Sequence, residues 1–269
     1  MSQQQIKILF FGDVVGKPGR KALAAVLPGL KKELQPDLVV ANAENIAHGV
    51  GITSKTMEEC RQAGVDFFTS GNHAFKKPDA LNIFADPDAP LIRPANFIDQ
   101  QAGAGSRIVP IGKTSVLMVN LNGQVFIEEK FSSPFAAIDT ILAQYQGADL
   151  AGIFVDLHAE ATSEKVAFGW YVDGRISAVI GTHTHVPTAD ETILPKGTAY
   201  ITDAGMVGLK ESVIGVDKEI ILNNFTNTKT TAHDIPDHGV CVVNAVLVSI
   251  DPITHRSTGI RRIYREISI

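Results

Sequence analysis

Carboxylate, amide and imidazole side chains follow five apolar runs along this chain, and this spacing constrains its fold more than any other feature. The five segments are Gly12-Asp13, Asn42-Ala43-Glu44-Asn45, Gly71-Asn72-His73, Asp156-Leu157-His158 and Gly181-Thr182-His183-Thr184-His185. In parallel α/β sheets, the loops at the carboxyl ends of the strands gather into one crevice, where ligands bind. The sequence therefore predicts that these side chains converge on one site.

The first half of the chain alternates between strand-like and helix-like patterns. Strands are predicted at residues 7–15, 38–41 and 65–69, and helices at 19–34 and 53–63. Thr53 and Ser54 are expected to cap the second helix, since both side chains can accept a backbone hydrogen bond. Alternation of this kind indicates parallel strands joined by helical crossovers.

The second half continues this pattern after an interruption. Prolines and a QQAGAG stretch predict loops and turns over residues 80–112. Further strands are predicted at 115–121, 151–156, 176–180, 199–202, 239–250 and 259–264, and helices at 134–145 and 162–172. Thr162 or Ser163 is expected to cap the last helix. The fold class is α/β: a two-sheet β-sandwich flanked by helices, forming a single domain over residues 1–269.

Bulk properties exclude several classes of protein. A net charge of −5 argues against a surface that grips long nucleic acid. No apolar run approaches the roughly 20 residues that cross a bilayer, and the MSQQQ start lacks a signal-peptide pattern. We therefore expect a cytoplasmic protein. Cys60 and Cys241 are far apart and lack CxxC spacing, so both are expected to be buried core thiols.

The two acidic residues each admit two interpretations. Asp13 ends a buried strand, where an isolated charge is costly without a partner, but it could instead cap the helix that follows. Glu44 could bridge two cations with its two oxygens, and Asn45 could supply an amide oxygen, or the segment could be a polar turn. A P-loop is excluded, since one residue is missing before Gly16-Lys17 and Pro18 replaces the required Ser or Thr.

The histidines divide into two groups. His183 and His185 are two residues apart after a buried strand, so both rings can point into one crevice, and His158 stands in the same relation to Asp156. Asn72 can reach a metal and leave His73 facing a substrate as an acid, although such a pair is also common on surfaces. The remaining four are expected to be solvated or locally hydrogen-bonded: His48, His233, His238 and His255.

The charges of this set favour a two-metal hydrolytic site. Asp13 and Glu44 are negative, and the amides and imidazoles are neutral, so two divalent cations would leave a net positive charge. Such a site attracts phosphate and stabilises charge that develops on its oxygens. Oxygen and nitrogen ligands without thiolate suit Mn, Fe, Zn or Co, and the sequence does not choose among these ions.

The motifs resemble the calcineurin-like metallophosphoesterases, and most closely the YmdB-like phosphodiesterase subfamily. They are GDVVGKPGR, NAENIAHGVGIT, GNH, DLHAEATSEK, GTHTHVPTAD and DAGMVG with SVIG. The broader superfamily usually has a histidine two residues after its first aspartate. This chain has Val15 there, as the subfamily pattern expects, and Asn45 would take over the role of the missing histidine. Phe75-Lys76 replaces the usual Trp-Asp, and Val207 replaces a common cysteine.

The resemblance implies a dinuclear centre and a reaction. One metal would be held by Asp13, Glu44, Asn45 and His185, and the other by Glu44, Asn72, His158 and His183. A hydroxide bridging the two metals would attack phosphorus, with His73 as proton donor. The implied substrate is a small phosphodiester or nucleotide, including 2′,3′-cyclic forms. Among partners, a homo-oligomer is compatible with the sequence, which does not give the oligomeric state.

Two other functions stay open at this level. A phosphomonoesterase or 5′-nucleotidase would use the same metals, and a non-catalytic regulator could sense a nucleotide through the same crevice. Residues that recognise a base are expected on loops within residues 161–170 or 205–215.

Overall fold

Two mixed six-stranded sheets form the body of the molecule, in a computed structural model that describes residues 5–99, 101–227 and 231–269. The strands are β1 Ile6–Val14, β2 Leu38–Asn42, β3 Phe67–Thr69, β4 Ser106–Ile111, β5 Thr114–Asn122, β6 Gly152–His158, β7 Ala178–Thr182, β8 Thr192–Ile193, β9 Ala199–Ile201, β10 Met206–Leu209, β11 Ser212–Val213, β12 Val216–Asp217, β13 Val240–Ile250 and β14 Ser257–Ser268. The helices are α1 Gly16–Leu34, α2 Ser54–Ala63, α3 Asp79–Ala85, α4 Pro134–Gln144, α5 Thr162–Val172 and α6 Lys218–Thr226.

The order of the strands brings the predicted site segments to one edge of the sandwich. Sheet I has the order β14-β13-β10-β1-β2-β3, and sheet II has the order β4-β5-β6-β7-β9-β8. Strands β1, β2 and β3 are mutually parallel, as are β5, β6, β7 and β9. The predicted parallel strands with helical crossovers are confirmed, as is the two-sheet α/β fold class.

Alternation of side chains along the strands builds the core in layers. Phe10 of β1 points between the sheets and meets Phe154 of β6, with ring centroids 5.5 Å apart. Its neighbours Leu9 and Phe11 face the other way and pack under α1 and α2. On the far side, sheet II packs against α4 and α5, where Phe168 is fully buried. The result is a helix–sheet–sheet–helix sandwich.

Residues 80–112 are more regular than the sequence indicates. They include most of α3, whose Ile83 and Phe84 are buried, and the edge strand β4. The expectation of loops throughout this stretch is wrong because α3 is too short for a periodic signal. Strand β4 also contains Pro110, and proline is tolerated in edge strands, where a missing N–H breaks no ladder.

The helix starts are only partly as predicted. Thr53 caps α2, and its side chain accepts from the Thr56 N–H. The prediction for α5 is wrong: Ala161 occupies the cap position, and no side chain of the described residues caps this helix. Helix α6 had no strong sequence signal, and Asp217 caps it.

Two predictions about class and chemistry can be compared directly with the structure. Cys60 and Cys241 are both buried, as expected. None of the helices within the described ranges is long and apolar enough to cross a membrane. That residues 1–269 form one domain stays a prediction.

Candidate metal centre

All five predicted segments lie at the carboxyl ends of their strands, and their polar side chains meet between the two sheets. Glu44 follows β2, and its Oε2 lies 3.1 Å from Nε2 of His158, the last residue of β6. His183 follows β7, and its Nδ1 lies 2.9 Å from the same His158 nitrogen. Asp13, near the end of β1, accepts from the His183 backbone N–H at 3.1 Å. It does not cap α1, whose cap position is Val15.

Glu44 lies at the middle of this cluster, almost fully buried. Its Oε1 accepts from Asn45 Nδ2 at 3.0 Å and lies 3.3 Å from His73 Nδ1. Its Oε2 faces His158 and also accepts from the His73 backbone N–H at 3.1 Å. His73 contacts both oxygens, but the proposed ligands on the two sides differ, with Asn45 at Oε1 and His158 at Oε2, which is the arrangement a bridging ligand requires.

The His158 ring is oriented by a buried hydrogen-bond chain. Asp156 accepts from the Thr182 hydroxyl at 2.7 Å and from Asn42 Nδ2 at 2.9 Å. The Thr182 oxygen lies 2.9 Å from His158 Nδ1 and, since its own proton goes to Asp156, accepts the proton of that nitrogen. When a metal ion takes the place of the second proton of this ring, Nε2 is therefore the nitrogen whose lone pair points into the cluster.

His183 and His185 are oriented in the same way as His158, with one ring nitrogen bound to an oxygen. His185 Nδ1 donates to the Ile214 carbonyl at 2.7 Å, and its Nε2 lies 3.8 Å from Asp13 Oδ1. His183 Nε2 lies 3.1 Å from Glu160, so its Nδ1 faces the cluster. In each ring one nitrogen is anchored by an oxygen and the other faces the cluster, where His185 Nε2 lies 3.1 Å from Asn45 Nδ2. The sequence pattern did not single out these anchors.

Burial and mutual contact shift the pKa values in the cluster. Burial raises the pKa of Asp13. For Glu44, burial acts to raise the pKa, but contact with His158 outweighs it and holds the pKa well below the usual range. Burial opposes protonation of His158, yet Glu44 raises its pKa to about 9. Burial and the adjacent His158 lower the pKa of His183 to about 3. The buried carboxylates thus call for compensating positive charge, which a bound cation would also supply.

Three further observations fit metal ions. Ligand atoms of Glu44, His158 and His183 all lie within 4.8 Å of one another. Asp13 Oδ1 and Asn72 Oδ1 are buried without a hydrogen-bond partner among the described residues, although such atoms are normally satisfied. Carboxylate, amide and imidazole donors together are suited to divalent transition metals.

Gly71 leaves the space in which these groups meet. A Cβ atom built there would lie 2.2 Å from Glu44 Oε2 and 2.4 Å from His158 Nε2. Any side chain at this position would therefore enter the cluster. This close approach accounts for the glycine of the GNH motif.

Asn72 and His73 border the cluster rather than fill it. Asn72 Nδ2 donates to Glu129 at 3.2 Å, so its amide is oriented by a residue that the sequence did not point to. His73 Nδ1 lies 3.0 Å from Asn45 Oδ1. Both residues line a cavity of about 250 Å³, and His73 also lines a larger one of about 610 Å³.

The remaining predictions from the sequence concern residues around the site. All four other histidines are exposed, as expected, although His48 and His233 line the larger cavity. Phe75 packs against Phe84 and Phe97 rather than against a proposed ligand. Val207 is buried in sheet I, where it pairs with β13.

The two-sheet sandwich and its cluster of oxygen and nitrogen donors at the strand ends define a calcineurin-like metallophosphoesterase. The model of the YmdB-like protein family matches residues 9–263, and the chain belongs to this family. A 2′,3′-cyclic-nucleotide 2′-phosphodiesterase of Bacillus subtilis (strain 168) is 42% identical over 258 residues, which cover 96% of each chain.

Solved structures agree with this family membership. A novel phosphatase of Mycoplasma pneumoniae superimposes with a TM-score of 0.90 at 37% identity, covering 98% of this chain and 94% of that one. The NAD nucleotidase of Haemophilus influenzae has a TM-score of 0.63 at 14% identity, covering 98% of this chain and 56% of its own. At that identity the likeness shows the fold alone.

Proposed function

We propose that this protein is a dinuclear metal-dependent phosphodiesterase that hydrolyses small phosphodiesters, among them 2′,3′-cyclic nucleotides. The observation that carries the proposal is Glu44, a buried carboxylate whose two oxygens face different groups of ligand-type neighbours beside an open cavity. The Bacillus subtilis relative supplies the substrate class. Membership of the YmdB-like family also implies a hydrolase that acts on phosphoric esters.

The proposed ligands fall into two groups that share Glu44. One ion would take Asp13, Glu44, Asn45 and His185, and the other Glu44, Asn72, His158 and His183. Bound metal ions supply an activated water and neutralise charge on the phosphoryl oxygens. Fe, Mn, Zn and Co all suit these donors.

His73 is the proposed proton donor. Its Nδ1 is held between Asn45 Oδ1 at 3.0 Å and Glu44 Oε1 at 3.3 Å, which fixes the ring at the rim of the cluster. The ring also lines both cavities, so Nε2 can give a proton to a departing oxygen there. The partly exposed position allows the ring to be reprotonated from water.

Two variants test this assignment of roles. We expect Glu44→Gln to lose both metal and turnover of 2′,3′-cyclic AMP, because it removes the shared charge. We expect His73→Ala to keep its metal, measured by elemental analysis, and to lose about 100-fold or more in kcat. Full turnover in both variants would contradict the proposal.

Substrate comparison separates the proposed activity from its alternatives. A phosphodiesterase hydrolyses the cyclic nucleotide faster than it hydrolyses nucleoside monophosphates, whereas a phosphomonoesterase shows the reverse order. A sensor would bind the cyclic nucleotide and leave it intact. That the protein is cytoplasmic stays a prediction, as does its compatibility with a homo-oligomer.

A further inference from the structure

Two cavities of different character meet at the metal cluster. Both are lined by His73 and His183, and their other lining residues all differ. The larger one measures about 610 Å³ and the smaller about 250 Å³. The larger volume falls within the roughly 300–1,000 Å³ typical of small-molecule sites, so it can hold an organic group beyond the phosphate.

One wall of the larger cavity is apolar. We call it the ribbon–α6 wall, and it consists of Val213, Ile214, Val216, Ile221 and Phe225. These residues come from the β11–β12 hairpin with its turn, and from α6. Phe225 is 85% exposed and Ile214 is 51% exposed, so two large apolar side chains stand at the cavity without covering the core.

The ribbon–α6 wall is joined directly to the proposed metal centre. His185 Nδ1 donates to the Ile214 carbonyl at 2.7 Å, so a residue of the wall also orients a proposed ligand. His183 and His185 line the same cavity as Phe225. A phosphate held at the cluster would therefore place its substituent next to this wall.

Ile214 has a backbone conformation that a β-branched residue rarely adopts. Its φ is 47°, and it precedes Gly215 in the two-residue turn between β11 and β12. Turns of this kind favour Asn-Gly, because both central residues need positive φ. An isoleucine here costs stability and presents an exposed apolar side chain, which is a combination expected at functional positions.

The smaller cavity has a different chemistry. Lys76 and Glu129 form an ion pair of 2.9 Å in its wall, and Asn72 is hydrogen-bonded to the same glutamate. Among the described residues that line this smaller cavity, Phe126 is the one phenylalanine, tyrosine or tryptophan. The larger cavity also has one such residue, Phe225, but it adds the four aliphatic residues of the ribbon–α6 wall and more than twice the volume. An aromatic base is therefore better matched by the larger cavity.

We propose that the ribbon–α6 wall is the nucleobase subsite of this protein, with Phe225 stacking on the base and Ile214 packing on its edge or on the ribose. The inference rests on the proposed function and names the part of the substrate that this function leaves open. Stacking on an aromatic side chain tolerates all bases. The subsite therefore selects nucleotides over base-free phosphodiesters and discriminates weakly among bases.

The test compares a nucleotide substrate with a cyclic phosphodiester that has neither ribose nor base. The measured quantity is kcat/KM for 2′,3′-cyclic AMP divided by kcat/KM for glycerol 1,2-cyclic phosphate, with Mn²⁺ present. We expect Phe225→Ala to lower this ratio about tenfold, from the loss of one stacking contact. Ile214→Asn should lower the ratio while keeping or raising the melting temperature, because asparagine suits the turn.

Matched variants separate this proposal from its competitors. Leu222→Ala removes an exposed side chain of the same helix that does not line the cavity, and its ratio should equal that of the parent. An unchanged ratio in Phe225→Ala would overturn the proposal. If the ratio falls only in Phe126→Ala, the base lies in the smaller cavity. If Phe225→Ala and Leu222→Ala instead both alter sedimentation, the wall is an interface between copies.

Failure of the proposed function has a separate signature. If the parent hydrolyses neither substrate, the kcat/KM ratio cannot be measured. Calorimetry then measures how tightly the Mn²⁺-loaded protein binds AMP and inorganic phosphate. Weaker binding of AMP but not of phosphate in Phe225→Ala would still support the subsite. Equal binding of AMP by parent and variant would overturn it.

Discussion

Lys165 and Asp203 form a fully buried ion pair, with Nζ and Oδ2 2.7 Å apart and each side chain only 1% exposed. The lysine also donates to the Thr182 carbonyl at 2.8 Å, and the aspartate accepts from the backbone and hydroxyl of Thr184. The pair therefore holds the loop between β7 and His185 on two sides. In that loop His183 and His185 both have positive φ, of 98° and 66°, which packing of this kind has to hold in place.

Breaking this pair should reduce both stability and metal affinity. In Lys165→Met the Asp203 charge is left buried without its partner, and we expect a loss of about 3–5 kcal/mol in the free energy of unfolding. Metal affinity should also fall, because the two loop histidines lose their support. Chemical denaturation measures the first effect, and metal titration of the folded variant measures the second. A variant with parental metal affinity would show that the pair serves stability alone.

Gly71→Ala should abolish metal binding, and overpacking of the buried cluster should lower the free energy of unfolding by about 1–3 kcal/mol. The new methyl group would lie within 2.4 Å of atoms of Glu44 and His158, in the space where the ligands meet. Gly29→Ala is the matched control, since nothing lies within 4 Å of a Cβ built there in α1. That variant should bind metal normally and gain about 0.5–1 kcal/mol of stability. Parental metal content in Gly71→Ala would show that the ligands do not meet beside this glycine.

Thr182→Val should weaken metal binding through the His158 ring. The substitution removes the oxygen that accepts from His158 Nδ1 and the hydroxyl that donates to Asp156. Loss of such a supporting partner usually costs about 10–100-fold in metal affinity. Thr182→Ser keeps the hydroxyl and should restore most of the affinity. Equal metal affinity in the valine and serine variants would rule out this role.

Both cysteines should resist alkylation in the folded protein. Burial raises the pKa of Cys60 to about 12 and that of Cys241 to about 11. A raised thiol pKa lowers the fraction of reactive thiolate at a given pH, by roughly a thousandfold at Cys60. Iodoacetamide at pH 8 should therefore label neither residue until denaturant is added. Rapid labelling of the native protein, followed by mass spectrometry, would contradict this expectation.

The strand-end pattern predicts much of the site because it depends on local sequence. Each proposed ligand lies at or just after the end of a buried apolar run, so topology alone brings Asp13, Glu44 and His158 together. Lys165 gave no such signal, since its partner Asp203 lies 38 residues away and the contact exists only after α5 packs on sheet II. Thr182 was visible in the THTH motif, but its position between Asp156 and His158 depends on the register of β6 and β7.

The ribbon–α6 wall could be predicted from the sequence only in part. Residues 205–215 were expected to contain base contacts, and Val213 and Ile214 do line the larger cavity. The range 161–170 contributes none of the described residues that line it, because nearly all of that range belongs to α5. Helix α6 supplies Phe225 instead, and it has too short and too mixed a pattern to predict where it packs.

The most direct test measures the rate of 2′,3′-cyclic AMP hydrolysis. The protein is first stripped of metal and then titrated with Mn²⁺. We predict no turnover in the stripped protein, and turnover that rises with bound metal until the Glu44-centred site is full. Glu44→Gln should show no such rise at any Mn²⁺ concentration. Undiminished hydrolysis by the stripped protein, or no hydrolysis by the fully loaded protein, would contradict a metal-dependent phosphodiesterase centred on Glu44.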